Sequence, residues 1–333
     1  MNRRKFITNT VLTTTGIGMS GILNADGLGV SPSPSDTVNL ALIGCRNMGY
    51  GDLQQHLSNQ SWELTLPNGS GHETYFARCN EHTYFVKLGV QAIKYQIVAS
   101  IGLTPQVLAA DSLRDGTSII VQPYIAGKRP SRNDYHIRLE QFASAINQIH
   151  HNPEIKQVLP RVSSDFYSVV GLESLAYIQQ KWEHHKSKVP DVADFVDESL
   201  DYLRQQVKGF QGTGLVASHN DICNANWLIS TDGQLYLIDL ESMSLDDPAV
   251  DIGATLWWYY PPKLREDFLV KAGYINDPTF EKRMQVRMAM HCLNIILPRE
   301  QSFDEFDPAS FGESLTDFKA VLAGRENPQG YDD

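Results

Sequence analysis

The sequence predicts an α+β chain in which a small β-rich lobe precedes a larger helical lobe. Runs rich in aromatic, Thr and aliphatic residues crowd between Trp62 and Tyr124, as strands do. Beyond Gly127, apolar residues recur at helical spacing in one long segment after another. The stretch before about residue 58 has a different character from either.

The expected strands are Trp62 to Leu66, Glu73 to Cys79 and Thr83 to Leu88, a meander whose first turn is the polar run Asn68-Gly69-Ser70-Gly71-His72. Ala92 to Ile101 reads as a helix closed by Gly102 and followed by Pro105. Ser118 to Tyr124 is a further strand, with β-branched Ile119, Ile120 and Val121, and Ile125 to Gly127 is a connector. Tyr135 to His150 carries Leu139, Phe142, Ala143, Ile146 and Ile149 at helical spacing. Asp165 to Lys186, Asp194 to Val207, Ala249 to Tyr259 and Glu281 to Ile296 also read as helices.

The chain has 333 residues and a formal net charge of −11. That length allows two lobes, each with its own core. So acidic a chain is poorly suited to wide contact with a phosphate backbone, so nucleic acid is not an expected partner. A cationic small substrate suits the charge better. The four cysteines (Cys45, Cys79, Cys223, Cys292) form no CxxC pair and lie at no zinc-finger spacing from a His, so reduced thiols are expected.

The chain opens Asn2-Arg3-Arg4-Lys5-Phe6-Ile7, which resembles a twin-arginine export motif. The weakly apolar Val11 to Leu23 is too short and too polar for a stable membrane span and fits the h-region of a signal. Val38 to Gly44 reads as a buried-type strand feeding the glycine-rich Gly44-Cys45-Arg46-Asn47-Met48-Gly49-Tyr50-Gly51. This start resembles that of an exported oxidoreductase of the glucose–fructose oxidoreductase type, and the resemblance stops near Leu57. A ribose-binding acid is due about 20 positions on. The chain reads Pro67-Asn68-Gly69-Ser70-Gly71 there, so NAD binding is not expected. The expected organisation is a signal-like segment and linker over 1–35, a truncated Rossmann-like fragment over 36–57, a small lobe over 58–125 and a large lobe over 126–325.

The chemistry concentrates in Ser218-His219-Asn220-Asp221-Ile222-Cys223-Asn224-Ala225-Asn226, followed by Asp232-Gly233 and then Leu235-Tyr236-Leu237-Ile238-Asp239-Leu240-Glu241. Phosphoryl transfer needs a group to orient or deprotonate the acceptor hydroxyl, and hard oxygen ligands to hold Mg²⁺ on the phosphates. An Asp on a tight loop can do the first. An Asn a turn later and an Asp on the next strand can do the second, since the hairpin between them brings Asn226 and Asp239 together.

Three motifs stand in order: His219-x-Asp221-x-x-x-x-Asn226, Ile238-Asp239-Leu240-Glu241, and Asp247-Pro248-Ala249-Val250-Asp251. Together they resemble the aminoglycoside phosphotransferase and choline kinase superfamily over residues of about 58–320, most clearly from Ser61 to Gly273. The helix ending Gln148-Ile149-His150 resembles the one that ends in Leu-His there. The resemblance implies a protein-kinase-like bilobal fold and an ATP- and Mg²⁺-dependent kinase acting on a hydroxyl of a small molecule. It implies Asp221, with His219 of the same motif, as catalytic, and Asn226 and Asp239 as metal ligands. Lys87 would reach the α- and β-phosphates, and Asn68, Gly69, Ser70, Gly71 and His72 would cover them. Gln122, Pro123 and Tyr124 would lie under the adenine, with Tyr124 as backbone donor because Pro123 has no N–H. Asp251 would brace the catalytic loop, and Glu241 would assist the metal or shape the site.

Two features depart from that pattern. Kinases of this fold usually pair the strand lysine with a glutamate on the next helix, yet Gly89 to Gly102 holds no acid, only Gln91 and Gln96. A non-catalytic binding module is therefore the alternative, and an exported NAD-dependent oxidoreductase fragment a weaker one. A cytoplasmic kinase is the expectation, with export left open by the first residues. Trp257-Trp258-Tyr259-Tyr260 reads as core packing in preference to an aromatic cage, and His150 as a structural histidine.

Overall fold

A computed structural model describes residues 63–65, 74–79, 82–112, 116–298 and 306–333. The signal-like segment, the Rossmann-like fragment and the loop Asn68 to His72 lie outside the described residues. The chain divides into two compact units. One holds the described residues up to Ala92 together with Pro105–Ile125, and the other holds Ile93–Thr104 with Ala126–Asp333.

The small unit is one antiparallel sheet. Its strands are β1 (Glu63–Thr65), β2 (Thr74–Cys79), β3 (His82–Leu88), β4 (Ala109–Ser112) and β5 (Ser118–Pro123), in the order β1-β2-β3-β5-β4. Side chains alternate across a strand, and the sequence uses that period. Tyr75, Ala77, Val86, Leu88, Ile119 and Val121 share one buried face as the core. Thr74, Lys87 and Ile120 stand side by side across β2, β3 and β5 on the other face. β4 escaped sequence reading because Ala109-Ala110-Asp111-Ser112 has neither alternation nor β-branched residues; its pairing with β5 makes it a strand.

The large unit begins with most of α1 (Ala92–Ser100). Next come β6 (Gly127–Lys128), α2 (Arg132–Ile137), α3 (Leu139–His151), α4 (Pro153–Val158), α5 (Tyr167–His185) and α6 (Pro190–Lys208). The helix expected over Tyr135 to His150 is two helices. Ser131 starts the first with a capping box closed by Asp134, and the chain breaks at Arg138 before α3. β7 (Val216–Ser218), β8 (Trp227–Ser230), β9 (Leu235–Leu237) and β10 (Ser244–Asp246) follow, then α7 (Ala249–Tyr259), α8 (Pro262–Lys271), α9 (Pro278–Ile296) and α10 (Pro308–Leu322). β7 pairs with β10, while β8 pairs with both β6 and β9.

Gly127, expected in a connector, is a strand residue set tightly against β8. A Cβ there would meet the Ile229 carbonyl oxygen at 2.4 Å, so only glycine fits. Three of the four residues Trp257 to Tyr260 are buried, and Trp257 donates its indole N–H to the Arg325 carbonyl at 3.1 Å. The run packs the core of the large unit and forms no cage. No described helix is long and apolar enough to cross a membrane.

Candidate active site

β7 ends at Ser218, and the next residues leave the sheet in a loop. Asn220 sits at φ 63°, a left-handed conformation costly for a non-glycine residue. The buried carboxylate of Asp251, on the first turns of α7, holds this loop. It accepts the His219 N–H at 2.6 Å and the Asn220 N–H at 2.9 Å, so each oxygen fixes one peptide. The Asn220 side chain donates to Ser244 Oγ at 2.8 Å and the Ser242 carbonyl at 3.1 Å, tying the loop to β10.

Asp251 is itself supported from behind. His150 Nε2 donates to it at 3.0 Å, and His150 Nδ1 accepts from the Tyr274 hydroxyl at 2.6 Å. Burial alone would raise the Asp251 carboxyl. The hydrogen bonds from His150 and from the His219 N–H outweigh burial and hold it below the usual carboxylate range. Burial pushes the Tyr274 hydroxyl well up, which keeps it a donor. His150 is thus structural, as its position in α3 suggests, and Asp251 braces the loop.

Asp221 follows, and Asn226 closes the short 3₁₀ turn Asn224–Asn226 beyond it. Asn226 Nδ2 donates to Asp221 Oδ2 at 2.9 Å and to the Asp221 carbonyl at 2.7 Å. The turn is pinned from below, where the Asn224 N–H donates to the Tyr259 hydroxyl at 2.7 Å. Tyr259 stacks on Tyr135 at 4.0 Å, and Tyr135 stacks on Phe142 at 4.2 Å, a column of rings under the loop. Burial raises the Tyr259 hydroxyl far above its ordinary value, so it stays neutral.

The β8–β9 hairpin returns the chain to this point. Its turn at Asp232-Gly233 closes with the Ser230 N–H donating to the Gln234 carbonyl and the Gly233 N–H to the Ser230 carbonyl, each at 2.9 Å, and the Ile238 N–H then donates to the Asn226 carbonyl at 2.8 Å. Asn226 and Asp239 are thereby neighbours on adjacent segments. Asp239 is the second non-glycine residue held left-handed, at φ 61° and ψ 58°. Both such residues among those described flank this one site. The turn after Asp239 is gripped by α1. The Tyr95 hydroxyl accepts the Leu240 N–H at 3.2 Å and donates to Glu241 Oε2 at 2.9 Å. Burial, then the charge of Glu241, raises the Tyr95 hydroxyl well above its ordinary value.

Three expectations need correcting. His219, expected beside Asp221 as catalytic, is fully buried, and its Nε2 donates to the Ile238 carbonyl at 3.2 Å. It ties β7 to the Asp239 segment and is not exposed to a substrate. The Tyr124 N–H, expected to donate to adenine, donates instead to the Thr83 carbonyl at 3.2 Å within its own sheet. Gln122 is also committed: buried, it donates its side chain to the Pro105 carbonyl at 2.5 Å. Lys87 is buried at the end of β3, not waving in solvent as a strand-end lysine usually does.

Sequence reasoning missed Tyr95, Tyr259 and Tyr274, whose hydroxyls reach the site from distant elements with no spacing signal. It also missed two buried ion pairs beneath the third motif, Arg283 with Asp247 at 2.9 Å and Arg287 with Asp246 at 2.6 Å. His291, one helical turn beyond Arg287, lies within the electrostatic reach of Asp221 and Asp251. Burial lowers its pKa, so it favours the neutral form.

Among the described residues, no cluster of three His, Cys, Asp or Glu side chains is arranged to hold a metal. What stands here is a smaller, all-oxygen set. Both Nδ2 bonds of Asn226 go to Asp221, so its amide oxygen is the atom it can offer a cation. Asp239 follows on the adjacent segment, directly after the Ile238 that bonds the Asn226 carbonyl. One carboxylate with an amide oxygen suits Mg²⁺, which keeps waters and takes phosphate oxygens to complete its octahedron.

A small antiparallel sheet unit, a larger helical unit and a braced Asp–Asn loop facing a second Asp define a kinase-like phosphotransferase fold. The family model described as the phosphotransferase enzyme family matches residues 52–283, and the chain belongs to that family of small-molecule phosphotransferases. Solved structures agree on the fold. A choline/ethanolamine kinase family protein from Mesorhizobium loti is 20% identical, with a TM-score of 0.59, covering 80% of this chain and 89% of its own. An ethanolamine kinase from Plasmodium vivax is 14% identical with a TM-score of 0.55, covering 78% and 81%. An aminoglycoside phosphotransferase crystallised with GDP and kanamycin is 16% identical with a TM-score of 0.55, covering 80% and 95%.

Proposed function

We propose that the chain is an ATP-dependent kinase that moves the γ-phosphoryl group onto a hydroxyl of a small polar molecule. The observation that carries this is the loop geometry: Asp221 is held by Asn226, and the loop itself by Asp251. In this reading Asp221 accepts a hydrogen bond, and then the proton, from the acceptor hydroxyl. The acceptor oxygen bonds to the γ-phosphorus in line with the breaking bond to ADP. Asn226 and Asp239 would hold Mg²⁺, which would supply neutralising charge on the phosphate oxygens. Lys87 takes the α- and β-phosphates, and the segment Asn68 to His72 covers them. His219 and Asp251 position the loop without touching substrate.

The nucleotide-bound structures of similar fold support a nucleotide cofactor. The net charge of −11 favours an acceptor that carries an amine. Residues 58–125 and 126–325 act as the two lobes, and a cytoplasmic location would supply the ATP. One observation favours a binding module instead, namely that α1 carries no acid to pair with a lysine. That reading predicts nucleotide binding with no transfer.

The test is ATP consumption by the full chain with Mg²⁺ against amino alcohols, aminoglycosides, thiamine and sugars, with Asp221→Asn as control. Turnover on one acceptor, lost in the control, is the expected result. ADP binding with no turnover on any acceptor would favour the binding module, and turnover unchanged in the control would remove Asp221 from its role.

A further inference from the structure

The helix that normally contributes an acid to a kinase site contributes a phenol here. α1 holds no Asp or Glu, and its most deeply placed polar group is the Tyr95 hydroxyl, on a side chain 1% exposed. That hydroxyl has one hydrogen to give and is placed to take one. It gives to Glu241 Oε2 at 2.9 Å and takes the Leu240 N–H at 3.2 Å. The residues it grips are the two directly after Asp239, whose backbone stands at φ 61° and ψ 58°. Aspartate tolerates the left-handed region better than most non-glycine residues, but at some cost, and surrounding bonds help to hold it there. The next residue along α1 adds a weaker contact, Lys94 Nζ to the Glu241 carbonyl at 3.4 Å.

We propose that Tyr95 is a positioning residue for the cation at Asp239: its hydroxyl fixes the Leu240–Glu241 turn and so aims the Asp239 carboxylate. The inference rests on the reading of Asp239 as a Mg²⁺ ligand. It assigns Tyr95 the task of coupling α1 to the metal loop, where in other kinases the acid of this helix pairs with the phosphate-binding lysine. Without the hydroxyl, the Leu240 N–H loses its acceptor and the Glu241 carboxylate a donor. The turn is then free to relax out of the left-handed state, and the metal loses a carboxylate already in place.

The experiment is a calorimetric titration of ADP into the full chain with and without Mg²⁺. The ratio of the two affinities measures metal coupling without any acceptor or turnover. The wild type is expected to bind ADP more tightly with Mg²⁺. In Tyr95→Phe, which keeps the ring, metal-free ADP affinity should stay within about twofold while the Mg²⁺ enhancement falls about tenfold, the worth of one hydrogen bond to a charged group. Glu241→Ala should lose a similar factor, and the double variant should lose little more than either alone, because both remove one tie. An unchanged enhancement in Tyr95→Phe overturns the proposal, as does full additivity in the double variant. A wild type with no Mg²⁺ enhancement overturns the metal reading of Asp239 itself, which separates that failure from failure of the tie. If Tyr95→Phe does not fold, Glu241→Ala alone carries the same titration, with the same expected loss and the same overturning result.

Discussion

Asn226 commits its side-chain amide to Asp221 twice, to the carboxylate at 2.9 Å and to the backbone carbonyl at 2.7 Å. One side chain therefore orients the proposed base and leaves its amide oxygen as the atom it can offer a cation. The two functions expected of this loop are coupled in a single residue.

Asp221→Asn should separate chemistry from binding. The amide cannot take the acceptor proton, yet it is isosteric and leaves the Asp251 brace untouched. We expect kcat to fall by about 10²- to 10⁴-fold, with ADP affinity in a Mg²⁺ titration little changed. A comparable fall in nucleotide affinity would show that Asp221 serves the nucleotide and not the acceptor.

The Asp251 brace should appear in the pH dependence of stability. Its carboxyl is held below the ordinary 3.8, by His150 and the loop amides against burial. A folded-state pKa below the unfolded one means that the unfolded chain binds the proton more readily as pH falls. The brace therefore stabilises the fold above about pH 4 and is lost as pH drops through the depressed value. Asp246, raised by burial against the opposing Arg287, acts in the opposite sense as pH rises past the ordinary carboxylate value. The difference between wild type and Asp251→Asn isolates the brace. At neutral pH the variant should lose about 3 kcal/mol, as when one partner of a buried pair is removed. That gap should narrow below pH 4 in urea melts.

Much of this site can be read in the chain because its motifs are local. His219 to Asn226 and Ile238 to Glu241 are joined by a hairpin whose Asp232-Gly233 turn is itself a sequence signal. Nothing local marks Tyr95, 145 positions from the Leu240 N–H it accepts, or Tyr274, which reaches His150 across 124. A tyrosine that will bond through its hydroxyl looks in sequence like one that will only pack. The exposure of His219 was equally hidden, since a histidine in a catalytic motif and a buried tie have the same spelling. The short elements α2, α4 and β6 depend on caps and on pairing with β8 more than on periodicity.

Helix packing in the large unit gives a prediction independent of the chemistry. α7 meets α9 at Gly253, where a Cβ would lie 2.8 Å from the Met284 carbonyl oxygen and 3.1 Å from its Cα. Backbone atoms cannot swing aside, so Gly253→Ala must push two helices apart, at a cost of about 2 kcal/mol. Gly312, on α10, has nothing within 4 Å of its would-be Cβ. Gly312→Ala should raise stability by about 0.5–1 kcal/mol from helix propensity. Thermal melts showing both variants shifted the same way would contradict this packing.

Tyr259 tests whether the aromatic column supports the loop or only fills space. Its ring stacks on Tyr135, and its hydroxyl accepts the Asn224 N–H two residues before Asn226. Tyr259→Phe keeps the stack and removes only the acceptor, leaving a loop amide without its partner. The stability loss should be about 1 kcal/mol, the usual net worth of one such bond. The effect on turnover should be larger than that figure implies, because the start of the 3₁₀ turn at Asn224 then loses its tie to α7, while Asn226 at its end stays bonded to Asp221 and to the Ile238 N–H. We expect kcat to fall about tenfold or more, since small displacements of catalytic groups cost that much, with the Mg²⁺ requirement rising as Asn226 loosens. Equal small losses in stability and turnover would reduce Tyr259 to packing and leave the loop's geometry to Asp251, Asn220 and Asn226.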